Sequence, residues 1–138
     1  KVLEKSKDNP AFYVQYSFAR ISSLFRTLNK DLNDKIDLDS KTFSLNENEI
    51  KILRKVFEWP KIIETASSKY EPHKIPYYLY ELATLFHSYW SKGNEKQSFK
   101  FIENGKIKRT ETLAIIVLTA IVVQQGMNIL GVSLPNRM

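Results

Sequence analysis

The sequence contains no cysteine, only four glycines and only two histidines. The lack of cysteine excludes disulfide frameworks, thiolate zinc sites and cysteine nucleophiles. It also permits a reducing compartment, so we expect the protein to be cytoplasmic. The scarcity of glycine and histidine leaves little room for phosphate-binding glycine loops, dinucleotide fingerprints or paired-histidine metal motifs, and the sequence contains none of them.

Catalytic groups are equally scarce. His73 lies among prolines beside Lys74, where a loop histidine bonded to a nearby carbonyl is favoured over a metal ligand. Serine and aspartate are plentiful, but no histidine adjoins them in a recognisable nucleophile motif. We therefore predict no catalytic residue and no metal ligand in this chain.

The sequence also lacks a long hydrophobic run. Its longest apolar stretch, Leu113 to Val123, is well short of the roughly 18 residues of a membrane span, so we predict a buried core helix and no membrane association. The charged segment Lys1 to Asn9 does not resemble a signal peptide. Because there is no initiating Met, we expect residues 1–138 to be a single domain cut from a larger protein.

Positive charge is what the chain does have. It contains 21 Lys and Arg against 15 Asp and Glu, giving a net charge of +6. This balance favours polyanions such as RNA or acidic membrane surfaces, although a solubilising surface can have the same balance. The 43% apolar content is enough for one buried core.

The strongest helix signal is at the N-terminal side. Asp8 or Asn9 offers a capping acceptor before Pro10, a residue with a preset φ, as the first turn of a helix prefers. Apolar residues then recur at intervals of three and four and predict a core-facing stripe: Val14, Phe18, Ile21, Phe25 and Leu28. Tyr13, Tyr16 and Arg20 lie about 140° around the same helix and form a second face.

The rest of the chain predicts four more helices. Residues 29–46 are polar and aperiodic and predict a loop, after which Ser44 and Glu47 match a capping box. The second helix is predicted from there to Trp59-Pro60, and the third from about 61 to 70. The fourth follows a rigid connector at 71–76. The fifth is predicted from about Thr110 to a C-cap at Gly131. Gly126 in the last helix predicts close packing.

Asn104-Gly105 predicts a short hairpin at 98–108. The expected fold is therefore all-α, an antiparallel bundle of about five helices.

Aromatic residues beside a cation are the most suggestive binding feature. Tyr13, Tyr16 and Arg20 could stack on unpaired bases and pair with phosphates. Aromatics that border a helix stripe more often pack against neighbouring helices, and spacing alone favours that interpretation. The pattern leaves both open.

Several blocks of the sequence resemble one family in the same order. They are Asp8-Asn9-Pro10 with Tyr13-Val14-Gln15-Tyr16 and Ala19-Arg20, then Glu71-Pro72-His73 with Tyr78 to Ala83 and Phe86 to Tyr89, and finally Gly126, Leu130-Gly131 and Pro135 to Met138. Together they resemble the DALR-type anticodon-binding domain of arginyl-tRNA synthetases. The family usually has Ala-His where this chain has Ser17-Phe18, so a role of that histidine is not carried over.

The resemblance implies a partner and a candidate surface. It implies binding of the anticodon stem-loop of tRNA-Arg, while aminoacylation with ATP and Mg takes place in a separate class I catalytic domain of the same chain, upstream of this one. It implies no cofactor in this domain, and we expect a monomer. The implied contact residues are Tyr13, Gln15, Tyr16, Arg20 and the terminal Met138, followed by His87 and Tyr89. The alternatives are a helical protein-interaction module and the DALR domain of another synthetase.

Overall fold

A computed structural model describes residues 9–38, 42–95 and 100–135. Most of these residues are helical, as predicted, and the remaining regular structure is one short hairpin. In chain order the elements are α1 (Pro10–Leu28), α2 (Glu47–Phe57), α3 (Trp59–Ser68), α4 (Lys74–Glu95), β1 (Ile102–Glu103), β2 (Lys106–Ile107) and α5 (Thr110–Leu130). The all-α class is confirmed, and the described residues contain five helices.

Helix α1 begins and ends as its sequence dictates. The Asn9 side chain accepts a hydrogen bond from the Phe12 amide at 3.2 Å, and Pro10 occupies the first turn. The helix stops at Asn29, which adopts a left-handed φ of 53°. Val14, Phe18, Ile21 and Phe25 of the predicted stripe are buried, and Leu28 is half-buried.

The predicted capping box of α2 is wrong by two residues. Asn46, not Ser44, caps the helix: its side chain accepts from the Glu49 amide at 2.9 Å, and Glu49 Oε1 accepts from the Asn46 amide at 2.9 Å. Both residue pairs match the same spacing pattern, but only Asn46 directly precedes the first helical turn. Trp59-Pro60 does end α2, and Glu58 alone separates it from α3.

The predicted rigid connector at 71–76 is partly helical. Helix α4 already begins at Lys74, so Pro76 lies in its first turn. Proline is tolerated there because backbone amides of the first turn have no acceptor within the helix, so the lack of an amide hydrogen breaks no bond. The hairpin is confirmed within 102–107, where Ile102 pairs with Ile107. Asn104 and Gly105 adopt positive φ angles of 55° and 74° at its turn. Residues 98 and 99 of the predicted hairpin lie outside the described residues.

Helices α4 and α5 form the middle of the bundle. A Cβ built on Gly126 of α5 would lie 2.7 Å from the side chain of Leu79 in α4, which confirms the close packing predicted there. Gly131 caps α5 with a φ of 70°. By length and composition α5 could cross a membrane, but more than half of its apolar window is buried inside the bundle, as in the core helix of a globular domain.

Candidate nucleic-acid interface

Packing of α1 against α4 gathers four of the predicted site residues. The rings of Tyr13 and Tyr16 have centroids 4.3 and 5.4 Å from the imidazole of His87, and the Tyr16 ring is nearly parallel to it. Arg20 completes the group, which we call the His87 cluster: Tyr13, Tyr16, Arg20 and His87. Tyr13, Tyr16 and Arg20 recur at intervals of three and four, so one face of α1 presents all three to α4.

Arg20 is fixed on several sides. Its Nη1 donates to His87 Nδ1 at 3.1 Å, and its guanidinium carbon lies 4.5 Å from the Tyr16 ring centroid and 5.4 Å from that of Trp90. Cation–π contacts of this kind hold a guanidinium without cancelling its charge. Within residues 9–38, 42–95 and 100–135, no carboxylate forms an ion pair with Arg20.

His87 is buried and neutral. Its side chain is 4% exposed, and Nε2 lies 3.2 Å from the carbonyl oxygen of Tyr13. Because arginine is only a donor and a carbonyl only an acceptor, we assign the tautomer in which Nδ1 accepts from Arg20 and Nε2–H donates to Tyr13. Burial, reinforced by the charge of Arg20, lowers the pKa of His87 to about 4 despite the opposing bond to Tyr13.

Gln15 lies roughly 100° or more around α1 from each residue of the cluster on that helix, and it connects α1 to the segment after α5. Its Nε2 donates to the carbonyl of Ser133 at 2.9 Å. Next to that bond is an open concavity lined by side chains of α5 and of the segment after it: Gln124, Gln125, Asn128, Val132, Ser133 and Leu134. The predicted contact residue Met138 lies outside the described residues.

Tyr89 does not join the His87 cluster. It is 4% exposed, its hydroxyl donates to Glu49 Oε2 at 2.6 Å, and its ring packs 4.7 Å from that of Phe101. Burial and the Glu49 carboxylate raise the pKa of Tyr89 above its ordinary value. Tyr89 and His87 are each 4% exposed, so neighbouring residues cover both rings in this structure. That either residue contacts RNA stays a prediction.

Sequence reasoning missed the buried polar network around Glu49. This carboxylate is fully buried and accepts from Arg109 Nη1 at 2.8 Å on both oxygens and from the Thr112 hydroxyl at 3.1 Å. Burial alone would lower the pKa of Arg109, but its hydrogen bonds and ion pair with Glu49 raise it. The Asn46–Glu49 spacing could have revealed the cap, whereas no local pattern indicates a partner 60 residues away.

The described ranges offer little for a metal. No group of three or more His, Cys, Asp or Glu side chains in them is arranged to hold an ion. The arrangement that remains is a half-buried cation among aromatic rings. Such a surface suits anions and flat, unpaired bases.

Comparison of the sequence with models of protein families gives a match. The model of the DALR anticodon binding domain matches residues 14–138, nearly the whole chain. The chain belongs to the DALR anticodon-binding domain family. Three members of the His87 cluster and Gln15 lie inside the matched region of this DALR domain, and Tyr13 lies just before it.

Individual relatives point to one kind of synthetase. The DALR domain is 49% identical over its full length to an arginine–tRNA ligase of Pelagibacter ubique and 40% identical, over 96% of its length, to one of Ruegeria pomeroyi. It spans 24% of the length of each of these relatives. These similarities favour anticodon binding over a helical protein-interaction module.

A solved structure agrees with the sequence relatives. It is that of a Campylobacter jejuni protein provisionally assigned as an arginyl-tRNA synthetase, which matches 94% of the DALR domain with a TM-score of 0.74 and 27% identity. The match covers 27% of that chain.

Proposed function

We propose that this DALR domain binds the anticodon stem-loop of tRNA-Arg on behalf of an arginine–tRNA ligase. The observation that carries the proposal is the guanidinium of Arg20, which lies over the rings of Tyr16 and Trp90 and forms no ion pair with a carboxylate of residues 9–38, 42–95 and 100–135. Attachment of arginine, using ATP and Mg, is assigned to a catalytic domain in another part of the longer protein. We expect that protein to be a cytoplasmic monomer.

The chemistry of the ligand matches this surface. Anticodon bases are unpaired and splayed, so their faces can stack on aromatic rings and their edges can bond to amides. Arg20 can pair with a backbone phosphate. Elsewhere on the domain, the amides of Gln124 and Asn128 line an open concavity beside the Gln15–Ser133 bond, and such amides can bond base edges. A base that leaves such polar groups unpaired should bind much more weakly. Selection of the middle cytosine of the anticodon, which the family resemblance implies for this domain, can rest on this effect.

Binding of a fluorescent anticodon stem-loop of tRNA-Arg, measured by anisotropy over a range of salt concentrations, tests the proposal. The affinity should fall steeply as salt rises, because each phosphate contact releases counterions. A stem-loop with its middle cytosine replaced should bind more weakly at every salt concentration. A flat salt response, or equal affinity for the two stem-loops, would refute the proposal.

Tyr16 provides a variant that separates binding from folding. We expect Tyr16→Ala to weaken binding by about 1 to 3 kcal/mol if the ring stacks on a base, with little change in melting temperature. Tyr77→Ala is the matched control, because Tyr77 is exposed on α4 and has no contact with the His87 cluster in the described residues. Loss of stability with unchanged RNA affinity in Tyr16→Ala would show that the ring is only a packing residue.

A further inference from the structure

Arg20 raises a question that the proposed function leaves open. It is a half-buried cation in a helical bundle, where such a group is ordinarily held by a carboxylate. Here the side chain that accepts its hydrogen bond is a neutral imidazole. A carboxylate at the same place would hold the guanidinium equally well but would neutralise the charge that a phosphate requires.

We propose that His87 is a positioning residue that aims the guanidinium of Arg20 at a phosphate of the bound RNA while never touching the RNA itself. The inference rests on the proposed function and concerns the same surface. The role is compatible with the burial of His87, because a residue that is only 4% exposed is covered by its neighbours and not open to contact with RNA.

The geometry of His87 suits this task. One ring nitrogen accepts from Arg20 at 3.1 Å, and the other, 3.2 Å from the Tyr13 carbonyl, ties the imidazole to the backbone of α1. The imidazole therefore cannot turn without breaking one of these bonds. The bond to Nδ1 uses one of the five N–H groups of the guanidinium, and no other side chain of the described residues accepts a hydrogen bond from the remaining four.

The rings on either side restrict Arg20 further. Tyr16 is stacked on His87 with an interplanar angle of 21°, and Arg20 lies over the same Tyr16 ring. His87 thus supports both the aromatic ring and the cation that the proposed function assigns to RNA. Holding a long side chain in one rotamer before binding reduces the conformational entropy lost on association.

A pair of amide substitutions distinguishes positioning from simple packing. Asn in place of His87 can put its oxygen close to the position of Nδ1 and accept from Arg20, whereas Gln extends past that position towards the Tyr13 carbonyl. We expect His87→Gln to weaken binding of the tRNA-Arg stem-loop by roughly 10- to 100-fold, as for loss of one hydrogen bond to a charged group. His87→Asn should stay within roughly threefold of the parent.

Dependence on Arg20 gives a second readout. In an Arg20→Gln background, His87→Gln should change the affinity by less than about twofold, because the group that it positions is already gone. Either substitution alone should reduce the steepness of the salt dependence by about one phosphate contact. Independent, multiplicative losses in the double variant, or an unaltered salt dependence in His87→Gln, would overturn the inference.

Circular dichroism melts of the 138-residue chain accompany each measurement. If His87→Gln does not fold, His87→Asn decides the matter: an Asn variant that folds like the parent but loses as much affinity as Arg20→Gln contradicts positioning. If the parent chain does not prefer the tRNA-Arg stem-loop at all, the proposed function fails and the inference fails with it. A parent that binds selectively while the variants behave independently overturns the positioning role alone.

Discussion

Replacing Glu49 with leucine tests how the bundle is held together, because this carboxylate is fully buried and joins three parts of the chain. It bonds to the Asn46 amide at the start of α2, to Tyr89 in α4, and to Arg109 and Thr112 at the start of α5. Leucine has a similar size but accepts no hydrogen bond. We therefore expect Glu49→Leu to leave a cation and several donors without their partner.

The size of the loss follows from the kind of interaction that is broken. Removing one member of a buried ion pair typically costs about 3 to 5 kcal/mol, because the other charge remains buried without compensation. The side chain of Arg109 is 32% exposed, can recruit water and keeps an ion pair with Glu111 at 3.6 Å, so we expect a cost at the lower end, about 3 kcal/mol. For a domain of this size that corresponds to a fall in melting temperature of roughly 10 °C.

Urea unfolding followed by circular dichroism measures this change. Glu47→Leu is the matched control, since Glu47 lies on the same helix but is exposed, and it should cost less than about 1 kcal/mol. Adding Arg109→Met to Glu49→Leu should restore part of the loss, because no buried cation remains. If Glu49→Leu is as stable as the control, or if Arg109→Met makes it worse, the reasoning about this network is refuted.

Two further predictions concern stability. Gly126→Ala should lower the free energy of unfolding by about 1 kcal/mol or more, because the added methyl would lie 2.7 Å from the fully buried side chain of Leu79. The control is Gln124→Ala, at an exposed position of the same helix, which should leave the melting temperature almost unchanged. The pKa of His87 falls from 6.5 in the unfolded chain to about 4 in the folded one. Between these pH values the unfolded chain binds more protons, so the free energy of unfolding decreases as the pH is lowered. The decrease amounts to roughly 3 kcal/mol over the whole range. Urea unfolding at pH 7 and pH 5 should show this decrease in the parent and a smaller one in His87→Asn. An equal decrease in both would assign the effect to other groups.

Local chemistry was sufficient to predict most elements of the fold. The start of α1 depends on Asn9 and Pro10, and its buried face follows from apolar residues at helical spacing. Gly126 and Gly131 also behaved as predicted, because a close helix contact and a left-handed cap each require a residue without a side chain. These features are determined within a few residues of sequence.

The errors occurred where neighbouring residues allowed two equivalent solutions. Ser44–Glu47 and Asn46–Glu49 match the same capping pattern, and the choice between them depends on where α2 begins to pack. Pro76 equally permits a loop or the first turn of a helix. The partners of Glu49 could not be predicted because Tyr89 and Arg109 are 40 and 60 residues away.

The candidate site was only partly predictable for the same reason. Helical spacing brings Tyr13, Tyr16 and Arg20 to one face, so the α1 side of the site follows from sequence. Family resemblance added His87 and Tyr89 but could not tell a residue that touches a ligand from one that supports it. That distinction requires burial, and both side chains are 4% exposed.

The two supporting residues also explain why α4 is central to the domain. Residues two positions apart on a helix point roughly 200° away from each other, so His87 and Tyr89 face opposite sides of α4. His87 holds Arg20 on α1, and Tyr89 holds Glu49 on α2. One turn of α4 therefore contacts both the proposed RNA surface, through His87, and the buried Glu49–Arg109 ion pair, through Tyr89. Glu49→Leu should weaken RNA binding only to the extent that it unfolds the domain. A loss of RNA affinity in variant protein that is still fully folded would mean instead that the network transmits a change through α4 to Arg20.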